Sequence, residues 1–213
     1  MHSSKHLAKL QDWINWDYLE DKRIKKLAHA FSKGAPFPNL ALTKFFKEQK
    51  PLQILQALGK EQFYEKESDL FKFMQTNDLE GTDSKVLKEF RSFLCSKEFI
   101  AYMQMITGLK MHSGVIDMHG SLYRDTDHLL CHDDQLEGRK VAFLFYLSTL
   151  GKNDGGALSL LASTSGVPTG SAAKIIPAFN MFTFFEVSPR SFHEVEEVVT
   201  DKKRIAIGGW FHG

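Results

Sequence analysis

Cysteine is scarce in this sequence, with two residues, Cys95 and Cys131, among 213. Two cysteines cannot form the dense disulfide framework of small secreted domains, so the composition favours a reducing, intracellular compartment: the cytoplasm or, in a eukaryote, also the nucleus. A chain of this length buries roughly 70% of the surface that its unfolded form exposes, and its core therefore needs no covalent cross-links.

Long apolar runs and an excess of charge of either sign are also missing. No run approaches the roughly 18 apolar residues of a membrane span, and the N-terminal stretch MHSSKHLAKLQDWINWDYLEDKR lacks the apolar segment of a secretory signal. Lysine and arginine total 27 against 26 acidic residues, a formal net charge of +1. Such a balance provides no basic footprint for nucleic acid. We therefore expect neither membrane association nor direct nucleic-acid binding.

The N-terminal half of the chain has the periodicity of helices. Residues 4–33 predict one or two amphipathic helices, and residues 84–108 carry apolar residues at helical spacing before a glycine. The stretch LALTKFF predicts a short strand, and PLQILQALGK predicts a helix with Pro51 in its first turn. We interpret FYEKESDLFKFMQTNDLEG as extended chain with a loop.

The C-terminal half has the character of β-structure. After residue 110, short β-rich segments such as VAFLFYLS and AKIIPAFNMFTFFEV are separated by turn-forming stretches such as GKNDGG and SGVPTGS. Phenylalanine is frequent, at 18 of 213 residues, which predicts an aromatic core. The predicted fold class is α+β, with helices of the N-terminal half packed on a β-sandwich or barrel.

Polar residues interrupt this β-pattern in DHLLCHDDQLEGRKVAFLFYLS, residues 127–148. A charge buried among apolar strands is costly unless it is paired or binds a metal. In extended chain, residues i and i+2 face the same side, so His132 and Asp134 would chelate one metal ion while Asp133 and Cys131 point away. Taken alone, the pattern is more typical of a polar turn than of a metal site.

A second histidine strengthens the metal hypothesis. His193 lies in FFEVSPRSFHEVEEVV, another β-rich segment. Two histidines and one carboxylate on neighbouring strands form the facial triad of non-haem Fe(II) oxygenases, which leaves coordination positions open for substrates. A structural zinc site would close its coordination shell and use more thiolate. We therefore predict His132, Asp134 and His193 as catalytic residues and ligands of Fe(II).

Arg204, in TDKKRIAIGGWFHG, follows His193 on the next predicted strand. Taken alone, it is more typical of an arginine on the surface of a strand. If the three ligands form a site, however, a guanidinium that projects into an apolar barrel requires an anion there. A dicarboxylate cosubstrate that chelates the metal at one end would provide that anion. We interpret the adjacent Lys202 and Lys203 as solvated turn residues.

Together these residues resemble the pattern of the 2-oxoglutarate- and Fe(II)-dependent dioxygenases: H-x-D, a distal histidine and then an arginine. The segments LLCHDDQLEGRKVAFLFYL, FFEVSPRSFHEV, GWFHG and DLFKFMQTNDL are similar to those of the prolyl hydroxylases that modify ribosomal and translation proteins. The similarity covers roughly residues 36–213. It implies a double-stranded β-helix, a jelly-roll or cupin-like fold, with N-terminal supporting helices.

The resemblance also implies roles for further residues. Arg204 becomes the anchor for the far carboxylate of 2-oxoglutarate, Tyr146 a hydrogen-bond partner of the same carboxylate, and Tyr123 part of the cosubstrate pocket. For each tyrosine the alternative is an ordinary core aromatic. Trp210 and Phe211 are expected to wall the pocket. The implied cofactors are Fe(II), 2-oxoglutarate and O2, with ascorbate as a candidate reductant.

The same resemblance divides the chain into a helical extension, residues 1–35, and a dioxygenase catalytic domain, residues 36–213, with helical support at 36–110 and a β-helix core at 111–213. Eukaryotic members carry a second, degenerate β-helix domain, so the ending GWFHG implies either a single-domain member or a truncated chain. The implied activity is hydroxylation of a prolyl residue in a ribosomal protein or a translation elongation factor, with release of succinate and CO2. Two alternatives stay open: the same chemistry on a nucleic-acid base or small molecule, and a non-catalytic β-helix that serves as a binding module.

Overall fold

A computed structural model describes the backbone of residues 4–213 and the side chains from residue 8 onward. Residues 1–3 of the predicted extension and the side chain of Leu7, an apolar residue of its predicted amphipathic helices, lie outside this part. Within residues 4–213, no helix has the length and apolar character to cross a membrane. The α-helices of the described part are α1 (Ser4–Trp13), α2 (Asp21–Ser32), α3 (Gln49–Leu58), α4 (Lys85–Leu94) and α5 (Lys97–Thr107).

The predicted helical region at residues 84–108 is confirmed as a pair of helices. Ser84 caps α4, since its Oγ accepts from the Leu87 N–H at 3.4 Å. Ser96 caps α5 in the same way, with its Oγ 3.3 Å from the Phe99 nitrogen. The second cap satisfies N–H groups at a helix start, which explains why the chain begins a new helix there. Gly108, at φ 73°, ends α5 in the left-handed conformation.

The strands of the described part are β1 (Asn39–Thr43), β2 (Phe63–Ser68), β3 (Phe71–Thr76), β4 (Ile116–Tyr123), β5 (His128–His132), β6 (Arg139–Tyr146), β7 (Leu158–Thr164), β8 (Val167–Ile175), β9 (Met181–Glu186), β10 (His193–Val195) and β11 (Arg204–His212). The stretch VPTGS, predicted as a turn, is the first part of β8, so that prediction is wrong. β8 is a largely exposed edge strand that pairs with β7, and its sequence therefore lacks an apolar face.

The strands form a nearly closed antiparallel barrel of two layers. One layer has the order β1-β9-β6-β11-β4, and the other has the order β5-β10-β7-β8. Strand β3 joins the layers, because it pairs with β4 through Met74 and Leu122 and with β5 through Phe71 and Leu129. The segment interpreted as extended chain with a loop is thus the β2–β3 hairpin. This topology is a double-stranded β-helix with supporting helices, and the predicted α+β fold is confirmed.

Strand β6 shows why its sequence is apolar along its whole length. Val141, Phe143 and Phe145 belong to the core between the sheet and the helices. Ala142 and Tyr146 alternate with them and belong to the clusters inside the barrel. Because both faces of the strand are buried, no position along VAFLFY tolerates an unpaired charge.

The helices pack on the outer face of the first layer. Leu10 and Trp13 of α1 and Phe31 of α2 belong to the same hydrophobic core as the strands. The Trp13 ring stacks on Phe93 with centroids 5.0 Å apart, and Phe31 stacks on Phe184 at 5.6 Å. The predicted aromatic core is confirmed. The domain boundary near residue 35 stays a prediction, although the helices before it share the core of the residues after it.

Candidate metal centre and cosubstrate pocket

The three predicted metal ligands lie together where β5 ends and β10 begins. His132 is the last residue of β5, His193 is the first of β10, and the two are register partners. Asp134 lies between them, with Oδ1 3.4 Å from His132 Nε2 and Oδ2 3.3 Å from His193 Nε2. One ligand atom from each residue lies within 4.8 Å of the others, so the three side chains form a group that can hold one metal ion.

Main-chain carbonyls orient both imidazoles. His132 Nδ1 lies 2.8 Å from the Leu130 oxygen, and His193 Nδ1 lies 2.8 Å from the Ser191 oxygen. A carbonyl only accepts, so each Nδ1 carries a proton, and each Nε2 faces Asp134, the side from which a metal ion would bind it. Such outer hydrogen bonds fix the tautomer and the ring orientation of metal-binding histidines.

Asp134 reaches the histidines through a turn of the main chain. Strand β5 ends at His132, and Asp134 adopts a left-handed φ of 62°, a conformation that aspartate tolerates better than most residues. The expectation that His132 and Asp134 face one point therefore matches the structure, but its extended-chain reasoning is wrong. Asp133 is turned away, as expected, and accepts hydrogen bonds from the backbone N–H and Nε2 of Gln135 at 3.1 and 2.9 Å.

The electrostatics of the group favour a bound cation. Burial by itself would raise the pKa of Asp134, but hydrogen bonds from His132 and His193 hold that pKa far below its usual range. Burial likewise opposes protonation of His132, yet the hydrogen bond to Asp134 and its negative charge raise the His132 pKa. Asp134 is therefore ionised at neutral pH, and it places a full negative charge between two imidazole nitrogens.

A cavity of about 160 Å³ adjoins the three ligands inside the barrel. Pockets for drug-sized ligands are roughly 300–1,000 Å³, so this one suits a smaller molecule. Its walls are mainly apolar, and the polar groups among them include the three ligands, Tyr123 and Arg204. His132 is 31% exposed and His193 only 6%, so solvent reaches the centre past His132.

Arg204 is fully buried in this cavity and has neutral partners. Its Nε donates to the Gly156 carbonyl at 2.9 Å, and NH2 donates to the Tyr146 hydroxyl at 3.4 Å. Its Cζ lies 4.9 Å from the ring centroid of Tyr123. Among the side chains from residue 8 onward, no carboxylate forms an ion pair with Arg204. A buried guanidinium without a counter-charge is costly, so this part of the cavity is suited to an anion.

The two predicted tyrosines take different places around Arg204. Tyr123 lines the cavity and stacks on Phe73 with ring centroids 4.8 Å apart. Tyr146 is fully buried and contacts the guanidinium through its hydroxyl. Burial raises the pKa of Tyr146 against the lowering effect of the Arg204 charge, so its hydroxyl stays protonated. Both tyrosines belong to the pocket region, and their roles toward the cosubstrate stay predictions.

We expect Tyr146→Phe to weaken 2-oxoglutarate binding by about three- to tenfold, the effect of one lost hydrogen bond near a charged group. Calorimetric titration of the metal-loaded protein measures it. Tyr102→Phe is the matched control, because the Tyr102 hydroxyl is also buried but donates to the Tyr18 carbonyl at 3.1 Å in the helical core. Equal affinities in Tyr146→Phe and the wild type would contradict the role assigned to Tyr146.

One sequence-based interpretation around the pocket is wrong and another is incomplete. Trp210 lines the cavity, but Phe211 packs on Phe143 at a centroid distance of 4.8 Å on the helix side, because successive residues of a strand face opposite sides. Lys202 is exposed, as interpreted, but it also has a partner, since its Nζ lies 2.7 Å from Asp154 Oδ2.

Sequence reasoning also missed several residues near Arg204 and in the cavity. Gly156 supplies the carbonyl that accepts from Arg204, and Gln75 and His119 line the cavity. The adjacent glycines of GKNDGG were the available signal for the first, and they were interpreted only as a turn. No pattern in the sequence marked Gln75, because the hairpin that carries it was not recognised.

Comparison with known proteins supports this interpretation of the site. Residues 118–212 match the 2OG-Fe(II) oxygenase superfamily. Prolyl 3-hydroxylase OGFOD1 of Mus musculus is 38% identical over 185 residues, which are 84% of this chain and 33% of the relative. Prolyl 3-hydroxylase sudestada1 of Drosophila melanogaster is 35% identical over 222 residues, which are 96% of this chain and 40% of the relative. The chain thus spans roughly a third of the length of these curated relatives.

Solved structures share the fold. A prolyl-4-hydroxylase of Pseudomonas putida superposes with a TM-score of 0.68 at 16% identity, over 87% of this chain and 98% of that chain. A prolyl hydroxylase of Trichoplax adhaerens, in complex with a peptide fragment of the hypoxia inducible factor oxygen degradation domain, superposes with a TM-score of 0.68 at 17% identity. The superposition covers 92% of this chain and 95% of that chain. The superfamily match contains the strands that carry the three ligands and Arg204, and the relatives extend it across most of the sequence. The part of the chain that carries the three ligands and Arg204 belongs to the 2OG-Fe(II) oxygenase superfamily.

Proposed function

We propose that this chain is an Fe(II)- and 2-oxoglutarate-dependent hydroxylase that acts on a prolyl residue of a protein. The observation that carries the proposal is the presence, in one small cavity, of a His-Asp-His group and a buried arginine with neutral partners. The prolyl 3-hydroxylases named above, which are similar over most of the chain, support the choice of proline as the target.

The donor set fits the proposed metal. Two imidazole nitrogens and one carboxylate oxygen are the ligands of mononuclear Fe(II) oxygenases. His132, Asp134 and His193 would hold Fe(II), and Arg204 would hold the far carboxylate of 2-oxoglutarate. When bound, the two cofactors activate O2 to hydroxylate a C–H bond, with release of succinate and CO2.

The protein itself contributes orientation and exclusion of water. The Leu130 and Ser191 carbonyls hold the two imidazoles so that their Nε2 atoms converge. Gly156 and Tyr146 hold the guanidinium of Arg204. Leu158 and Phe185 give the cavity apolar walls, which limit the water around the reacting centre and so limit side reactions.

We infer a protein as the substrate and, within that class, propose a ribosomal protein or a translation elongation factor. The similarity of the CHDD and SFHEV segments to the family described above supports this choice. We also propose an intracellular, cytoplasmic or nuclear, location, because Cys95 and Cys131 are free thiols. Ascorbate as the reductant stays a prediction.

The decisive experiment incubates the protein with Fe(II), 2-oxoglutarate, O2 and candidate ribosomal proteins or elongation factor. Peptide mass spectrometry is expected to find a proline that has gained one oxygen atom, and reactions without 2-oxoglutarate are expected to lack it. Succinate formation coupled to a nucleic-acid base or a small molecule instead would favour the first alternative. Stable capture of partners without any 2-oxoglutarate turnover by the metal-loaded protein would favour a binding module.

A further inference from the structure

A loop between β6 and β7 contacts Arg204 from outside the cavity. The Gly156 carbonyl accepts from Arg204 Nε at 2.9 Å, and both Gly155 and Gly156 adopt left-handed φ values, 72° and 67°. A Cβ on Gly155 would collide with the main-chain oxygen of Glu197, and one on Gly156 would lie 3.3 Å from Arg204 Cδ. The two glycines therefore allow the loop to press its main chain against the arginine.

The Asp154 carboxylate ties this loop to the segment that leads into β11. Its Oδ2 accepts from the Gly151 N–H at 2.5 Å and from Lys202 Nζ at 2.7 Å, and its Oδ1 lies 3.5 Å from the Thr200 hydroxyl. The main-chain carbonyl of Asp154 also accepts from the Val199 N–H at 2.9 Å. One of the two joined segments presents the Gly156 carbonyl, and the other continues directly into Arg204.

We propose that Asp154 is a positioning residue that holds Arg204 in the orientation needed to bind the far carboxylate of 2-oxoglutarate. The inference rests on the proposed function for the identity of the anion. A guanidinium binds a carboxylate well only when its planar N–H groups are aligned with it. The Asp154–Lys202 clamp fixes the loop that engages Nε, and so it fixes the direction of the remaining N–H groups. Asp154 is not among the residues that line the cavity, and it would act only through Arg204.

Two variants remove the clamp from opposite sides. Asp154→Asn keeps the shape of the side chain and removes its charge, and Lys202→Met removes the cationic partner. Asp201→Asn is the matched control, since Asp201 is an exposed acid in the same turn. Each protein is loaded with Fe(II) and then titrated, without oxygen, with 2-oxoglutarate or 2-oxopentanoate in a calorimeter. Circular dichroism confirms that each protein is folded.

We expect both clamp variants to bind 2-oxoglutarate about tenfold more weakly than the wild type, which is the range of one charge-assisted hydrogen bond. Their affinity for Fe(II) should be unchanged, as should their affinity for 2-oxopentanoate, which has the same chain length but lacks the far carboxylate. Asp201→Asn should behave as the wild type toward all three. This selective loss is the signature of a positioning role.

Three results would overturn the inference. Unchanged 2-oxoglutarate affinity in both clamp variants would show that Arg204 needs no such support. Equal weakening of 2-oxoglutarate and 2-oxopentanoate would show a general loss of structure instead. Wild-type protein that binds Fe(II) but not 2-oxoglutarate would overturn the proposed function as well, which separates that failure from the first two.

Discussion

Replacing His193 with alanine is expected to remove Fe(II) binding, and with it succinate formation coupled to substrate hydroxylation, while the fold persists. His193 provides one of the three ligand atoms that converge. Loss of an outer hydrogen-bond partner already lowers metal affinity roughly 10- to 100-fold, so loss of a ligand should exceed about 100-fold. The side chain contacts the Ser191 carbonyl at 2.8 Å and Asp134 Oδ2 at 3.3 Å, and the strand pairing of β10 depends on neither contact.

The measurement is a titration with Fe(II), followed by assay of succinate and circular dichroism of the same sample. His119→Ala is the matched control, because His119 also lines the cavity but lies outside the group of three. It should keep the wild-type metal affinity. Full turnover by His193→Ala would contradict the assignment of His193 as a metal ligand.

Replacing Arg204 with alanine is expected to raise the 2-oxoglutarate concentration needed for half-maximal rate by at least about 30-fold. Removing one partner of a buried, hydrogen-bonded charge pair costs roughly 2–5 kcal/mol, and each 1.4 kcal/mol is about tenfold in affinity. Arg204 is fully buried, and its described partners are the Gly156 carbonyl and the Tyr146 hydroxyl. It therefore carries the positive charge that the far carboxylate would meet.

Arg139→Ala serves as the control for this second prediction. Arg139 begins β6 and its guanidinium lies 3.4 Å over the Trp210 ring, so it is an arginine of the same barrel with a different contact. Arg204→Ala should retain its Fe(II) affinity, which shows that the site is still folded. If Arg204→Ala needed the same 2-oxoglutarate concentration as the wild type, the assignment of Arg204 to the 2-oxoglutarate site would be wrong.

Much of the fold was predictable because the apolar pattern of each element is local. The helices of residues 84–108 follow from three- and four-residue spacing, and β6 follows from a short apolar run between turn formers. The β2–β3 hairpin and the first part of β8 were not recognised. Strand β2 and the first part of β8 are exposed over most of their length, and they are held by hydrogen bonds to neighbouring strands rather than by an apolar face of their own.

The candidate ligands were predictable for a different reason. His132, Asp134 and His193 are polar residues in segments that are otherwise apolar, and a buried polar group needs a partner. The route by which Asp134 reaches its partners was not predictable, because its left-handed backbone depends on the turn after β5. The outward position of Phe211 likewise depends on which face of β11 meets the helices.

The sequence by itself therefore determined the residue types available for the chemistry, the apolar strands around them and the α+β fold class, since each of these follows from neighbours along the chain. Only the tertiary structure decided that His132 and His193 are register partners, that Arg204 is buried against Tyr146, and that Lys202 pairs with Asp154. These contacts join residues far apart in sequence. They form only when the two layers of strands close, and local periodicity carries no information about that closure.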